Sequence, residues 1–182
     1  MNKSFRIEGT TPLLHSRVFD VERRVIGYDG GTFERDVATH RGAVAILVVN
    51  DAQEIGLIRQ YRAAFDASGW EIPAGTRDVD GEDALMCAKR ELREEMGCVA
   101  ASWTLLGRFM NSPGWTDQVM TIFEARDLSI TDRSPAGPEE LNSVVRWFAK
   151  EELRETLLRE PAIDSTMVVA LHRIFGTFLD ER

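Results

Sequence analysis

The sequence predicts an α/β (α+β) fold, a mixed β-sheet sandwiched between α-helices with a β-hairpin extension at the N-terminal end. Three observations lead there. Strand patterns separated by hairpin turns fill the first half of the chain. One strand-length run, Ala43–Val49, is apolar almost without interruption, as a central strand covered on both faces must be. One long helical pattern then interrupts the strands, and two more follow them. The reading divides the chain into an extension over residues 1–38 and a main domain over residues 39–182.

The elements can be justified in order. Residues 16–28 and 32–40 alternate as strands and flank Asp29-Gly30-Gly31, a hairpin signal. The apolar run meets a second strand, EIGLIRQYR, across Asn50-Asp51-Ala52-Gln53. SGWEIPAG is a short extended piece closed by Pro73 and Gly75, and a polar loop, TRDVDGED, follows it. A helix is expected over 82–96, with Asp80, Glu82 and Asp83 at its N-terminal end and Gly97 as the residue that ends it. Strands resume at WTLLGRFM, QVMTIFEAR and SVVRWFA, the last two separated by a Pro- and Gly-containing loop, DRSPAGPEELN. KEELRETLLRE reads as a short helix that stops before Pro161. The final helix has Asp164 as N-cap, and its stripe of Met167, Leu171, Ile174, Phe175 and Phe178 reads as core packing.

Composition sets outer limits. The chain has 182 residues, 43% hydrophobic and 29% charged, and is long enough to bury a core without disulfides. Its two cysteines, Cys87 and Cys98, exclude a disulfide scaffold and favour a reducing, cytoplasmic setting. The first residues lack the apolar stretch of a signal peptide, and no apolar run is long enough to cross a bilayer. A formal net charge of −8 argues against a nucleic-acid partner. It leaves room for an anionic small molecule, because a bound metal ion supplies local positive charge. His15, His40 and His172 show no ligand spacing, Trp103 and Trp147 fall in strands as core residues, and neither cysteine has a histidine nearby in sequence.

The chemistry concentrates in AKRELREEMGC, residues 88–98. At about 100° per residue, Glu91, Glu94 and Glu95 share one arc of the helix, beside the apolar face of Leu85, Ala88, Leu92 and Met96. Arg90 stands four residues before Glu94, within pairing distance. Three carboxylates in the last turns of a helix face the negative end of its dipole, at a cost of a few tenths to about 1 kcal/mol each. A bound divalent cation reverses the sign of that interaction, and oxygen-rich sites of this kind suit Mg2+ or Mn2+.

The longer stretch from Gly75 to Cys98 resembles the Nudix box: G, five residues, E, seven residues, REU, one residue, EE, one residue, GU, where U is bulky and apolar. Two departures stand out. Six residues separate Gly75 from Glu82, and Cys98 fills the last apolar position, where a free cysteine serves as a small hydrophobe. The extra residue lies in the loop, so the register from Glu82 to Gly97 is intact. RGAVAILVV, GLIRQYR and WEIPAG, together with Pro113 sixteen residues after Gly97, look like the ADP-ribose pyrophosphatase branch of that superfamily.

The resemblance implies Mg2+-dependent hydrolysis of a nucleoside diphosphate compound, in the first place ADP-ribose to AMP and ribose 5-phosphate, with Mn2+ as a possible substitute. It implies that Glu91, Glu94 and Glu95 hold metal, with the backbone carbonyl of Ala74 as a further ligand. Arg90 orients a glutamate by ion pairing and Glu82 helps to hold the helix end. A late-loop glutamate serves as catalytic base, Glu140 first and Glu139 second. Arg59, Arg62, Pro113 and Trp115 are the implied substrate contacts. The branch also implies a homodimer in which the N-terminal strands are exchanged. Other Nudix substrates remain as alternatives (a nucleotide sugar, a dinucleoside polyphosphate or NADH), as does a sensor that binds ADP-ribose without cleaving it.

Overall fold

The structure, a computed structural model, describes residues 4–179. The chain divides into two compact units: residues 1–42 with 109–119, and residues 43–108 with 120–182.

The first unit is a three-stranded antiparallel sheet in the order β1-β2-β3, formed by β1 (Arg6–His15), β2 (Phe19–Tyr28) and β3 (Gly31–His40). The expected hairpin is β2–β3, in register from Tyr28↔Gly31 to Phe19↔His40. β1 was not marked by the sequence pattern. It is an edge strand broken by register shifts at Ile7/Gly9 and Pro12/Leu14. Proline is tolerated at such an edge because its missing N–H needs no partner there. The segment 109–119 closes on β3, with Ala38 N donating to Trp115 O (2.8 Å) and His40 N to Asp117 Oδ1 (2.8 Å).

The second unit holds a seven-stranded sheet. β4 (Ala43–Val49), β5 (Ile55–Arg62), β6 (Ala67–Glu71), β7 (Ala74–Thr76), β8 (Cys98–Met110), β9 (Val119–Ile130) and β10 (Val144–Phe148) form it, with the path β10-β5-β4-β9-β8. β4 runs parallel to β9 and antiparallel to β5, so the sheet is mixed, as expected. Every residue of β4 is buried. Val44, Ile46 and Val48 pack with Cys87, Ala88, Leu92 and Met96 of α1 (Ala84–Met96). Alternation sends Ala45, Leu47 and Val49 to the other face, and α4 (Ser165–Phe175) packs against the same strand. Cys98, at 1% exposure, belongs to the same cluster, in line with its reading as a small hydrophobe.

The β4–β5 hairpin is shorter than its sequence suggests. Only Val48↔Gly56 and Val49↔Ile55 pair, because the other end of β4 pairs antiparallel with β7, at Ala43↔Thr76 and Ala45↔Ala74. β7 is thereby carried beneath α1.

The remaining helices follow the sequence pattern with local differences. The Pro-rich loop contains one helical turn, α2 (Pro138–Leu141), started by Pro138 in the position where proline's missing N–H is harmless. α3 (Lys150–Leu157) is as expected. α4 starts on Asp164, whose carboxylate accepts from Thr166 N (3.1 Å) and Met167 N (2.9 Å), and it ends at Phe175. Met167, Leu171 and Phe178 of the predicted stripe are buried, Phe178 from beyond the helix, while Ile174 and Phe175 are half-buried. Among the described residues no helix is long and apolar enough to cross a membrane.

Candidate active site

Helix α1 forms where local chemistry directs it. Asp83 caps it, its Oδ1 accepting from Met86 N at 2.8 Å. Gly97 ends it at φ 64°, donating its N–H to Arg93 O at 3.0 Å, a left-handed conformation that glycine adopts without penalty. The preceding loop, with its extra residue, contains a turn with Gly81 at φ 79°. The Glu82–Arg90 contact survives it, with Arg90 donating to both Glu82 oxygens at 3.2 and 3.1 Å.

The carboxylates do not form a solvated strip. Glu91 is 7% exposed and Glu95 2%, and the Glu94 side chain is half-buried. Glu95 Oε2 accepts from Ala74 N at 2.9 Å, which is why β7 must lie under the helix. Glu91 lies against Gly75: a Cβ built on that glycine would come within 2.0 Å of its Cδ and Oε1. Gly75 is needed for close approach, a requirement invisible in the sequence. Arg90 binds Glu91 at 2.7 Å and Glu94 at 3.1 Å in addition to Glu82.

Burial sets the electrostatics. Desolvation pushes the Glu91 carboxyl up to about 7, against the pull of Arg90 and with added repulsion from Glu94 and Glu140. Desolvation pushes Glu95 up to about 8, partly offset by the Ala74 N–H and reinforced by Glu91 and Glu140. Burial likewise pushes the Cys87 thiol up to about 12, which fits a packing residue and not a nucleophile.

The structure separates the two late-loop glutamates. Glu140 is half-buried, acts on the charge of both Glu91 and Glu95, and holds Ala136 N on its Oε2 at 2.6 Å. Glu139 is exposed. The two arginines are separated as well. Arg62 forks onto Glu71 at 2.9 and 3.1 Å through Nε, and Glu95 contributes to its electrostatics. Arg59 lies over the Trp70 ring, 5.6 Å from its centroid, on the opposite strand face by alternation. Glu71 had no assigned role in the sequence reading. The alternation within the paired strands β5 and β6 was the signal that would have found it. Arg62, Phe65, Glu71 and Asp164 line a cleft of about 430 Å³. Pro113 and Trp115 belong to the first unit, where they line a separate groove of about 470 Å³ with Arg24, Phe33 and Arg35.

The donor set fits a hard divalent cation, since it is all oxygen and carries buried negative charge that Arg90 only partly offsets. Among the described residues no three His, Cys, Asp or Glu side chains are already drawn together as a cage. The Arg90 guanidinium instead bridges Glu91 and Glu94.

Comparison with known proteins follows the same lines. The NUDIX domain profile matches residues 39–169. An ADP-ribose pyrophosphatase of Mycobacterium tuberculosis (strain ATCC 25618 / H37Rv) is 35% identical over 156 residues, covering 84% of this chain and 75% of that protein. An ADP compounds hydrolase of Escherichia coli (strain K12) is 32% identical over 153 residues, 81% of each chain. A crystal structure of an ADP compounds hydrolase matches with a TM-score of 0.76 over 94% of this chain and 92% of that one, at 24% identity, a likeness of fold.

Proposed function

The chain belongs to the Nudix family, and we propose that it hydrolyses the diphosphate of ADP-ribose, or of a related nucleoside diphosphate sugar, to AMP and ribose 5-phosphate in a Mg2+-dependent reaction. One observation carries the reading: a pair of buried, mutually repelling carboxylates, Glu91 and Glu95, with a third glutamate, Glu140, acting on both. The two relatives named for ADP-ribose and ADP compounds support the substrate class.

Glu91, Glu94 and Glu95 would hold the cation, with Ala74 contributing its backbone. When bound, a divalent metal neutralises phosphate charge and activates water for in-line attack. Arg90 keeps Glu82, Glu91 and Glu94 in register. Glu140 accepts the proton of the water as its oxygen adds to phosphorus and the bridging P–O bond breaks; Glu139, being exposed, is the weaker candidate. Arg62 is the better placed of the two arginines for a phosphate or the terminal ribose, since Glu95 shares its field. Pro113 and Trp115 are proposed to contact the nucleoside end.

The protein would act as a homodimer exchanging residues 1–38, which supplies a cover for Phe5, Ile7 and Leu14, exposed at 58%, 56% and 53%. The free, buried thiols of Cys87 and Cys98 suit the cytoplasm. A panel of nucleoside diphosphate derivatives with Mg2+, scored by released monophosphate, tests the reading. AMP from ADP-ribose is the expected product. Preference for a nucleotide sugar, a dinucleoside polyphosphate or NADH would move the substrate assignment. Binding of ADP-ribose without release of AMP would mark a sensor.

A further inference from the structure

The loop that carries Glu140 begins at the last turn of α1. Thr131 N donates to Gly97 O at 2.7 Å, and Ser134 N donates to Glu94 O at 3.3 Å. These carbonyls lie at the helix end, where intrahelical donors run out. The far end of the loop is folded around a different carbonyl. Glu140 O accepts from Ser143 N at 3.1 Å and from Ser143 Oγ at 2.8 Å. One side chain joins these two ends. Arg133 Nη2 donates to Ser143 Oγ at 2.8 Å and to Glu140 O at 3.4 Å. Its stem lies across Gly97, where an added Cβ would come within 2.8 Å of both Arg133 Cγ and Thr131 O. Gly97 therefore meets two demands, the left-handed turn and the passage of Arg133.

We propose that Arg133 is a positioning residue for the reaction: it ties the Glu140 end of the loop to the C-terminal end of α1, so that the carboxylate of Glu140 is held towards Glu91 and Glu95. The inference rests on the reading of Glu140 as the base. Arg133 acts through the loop: its Nη2 donates to Ser143 and to the Glu140 carbonyl. Both bonds leave one nitrogen, Nη2, of a planar group whose orientation is fixed by its delocalised bonding. Lysine carries donors enough for both acceptors, but on a flexible stem that does not fix their direction. The Arg133 Nε is buried without a hydrogen-bond partner, so this guanidinium is held by shape as much as by bonding.

The test uses the full chain carrying R133A, R133K or S143A, with E140Q and R133A/E140Q for comparison. Loss of positioning should lower kcat with ADP-ribose by about ten-fold to a hundred-fold in R133A, a part of what a displaced general base costs. KM and Mn2+ affinity, measured by titration, should stay within about two-fold of wild type, a split that general loss of structure would not give. R133K should recover part of kcat. S143A, which leaves the buried stem untouched, should lower kcat in the same direction. R133A/E140Q should be no slower than E140Q, because both act through one carboxylate. Multiplying losses in the double variant, or a wild-type kcat in R133A, would overturn the proposal. Amide hydrogen exchange over residues 134–143 reads the tie without any substrate. Faster exchange in R133A supports it, and unchanged exchange overturns it. A wild-type protein that hydrolyses no nucleoside diphosphate would sink the functional reading and the catalytic role of Arg133 with it, while the exchange experiment would still decide whether the tie exists.

Discussion

The two compact units treat their apolar residues in opposite ways. In the second, β4 is buried along its whole length, with α1 and α4 packed against it. In the first, every residue of β1 is exposed, including Ile7, Leu13 and Leu14. Both units are sheets with real pairing, so hydrogen bonding does not separate them. Cover does. A sheet of three strands without a packed layer leaves apolar surface that a monomer rarely keeps, whereas the seven-stranded sheet is covered by its own helices. The buried unit can afford charged groups at its core edge, where Glu91 and Glu95 are held by Ala74 and Arg90. In the exposed unit the comparable charged pair, Arg24 with Glu22, lies beside a strand, β1, that is open along its whole length.

The largest expected effect lies in the buried unit. Glu95→Gln should keep the Ala74 hydrogen bond and the circular dichroism spectrum. Turnover of ADP-ribose should nevertheless fall by at least about 100-fold, since even supporting groups of metal sites are worth that much. The same variant should lose the rise in Tm that Mg2+ or Mn2+ gives wild type by binding only the folded state. Wild-type turnover in this variant would remove the carboxylates from the chemistry.

Next comes Gly75→Ala. The new methyl group occupies the place of the Glu91 carboxylate, so we expect a loss of about 1–3 kcal/mol in urea unfolding, together with weaker Mn2+ binding. Unchanged metal affinity would show that Glu91 is not held by that contact.

The exposed unit offers the third test. Light scattering should give twice the 20.5 kDa of one chain for wild type, and Ile7→Asp with Leu14→Asp should shift the particle towards the single-chain mass. A wild-type particle of one chain's mass would contradict the exchange of residues 1–38.

The smallest effect is a pH dependence within the first unit. Burial lowers the His40 pKa below its ordinary value of 6.5, against the pull of Asp117, and Nδ1 accepts from Gly42 N at 2.9 Å. Below pH 6.5 the unfolded chain protonates this histidine first and so binds more protons than the folded one. The His40 contribution to stability should therefore fall as pH drops through that range, opposite in sign to those of Glu91 and Glu95, whose raised pKa values make the folded chain the better proton binder. Urea midpoints between pH 7.5 and 5.5 measure the difference between wild type and His40→Asn, and the variant should gain more stability on acidification than wild type. An identical slope in the variant would assign the effect to other groups.

Much of this molecule was legible from local pattern. α1 begins on Asp83 and ends at Gly97 because capping and the left-handed turn are decided within a few residues. The arc of Glu91, Glu94 and Glu95, and the pairing of Arg90 with Glu94, follow from helical periodicity alone. The apolar run of β4 announced burial on two faces, and α4 started on the aspartate expected. Edge strand β1 escaped because Pro12 and two register shifts break its alternation.

Other facts depend on segments that are distant in sequence and adjacent in space. Periodicity drew a strip of carboxylates beside the core, but only the passage of β7 beneath α1 buries Glu91 and Glu95. Glu139 and Glu140 are equivalent as letters in a loop; the fold of that loop around the helix end distinguishes them. Glycine at 75 and at 97 signals a turn when read along the chain, yet each also leaves room for a side chain from elsewhere, Glu91 in one case and Arg133 in the other. Periodicity and capping are short-range and can be read residue by residue. Burial, close approach and the electrostatics they create are properties of neighbours, and neighbours are chosen by the fold.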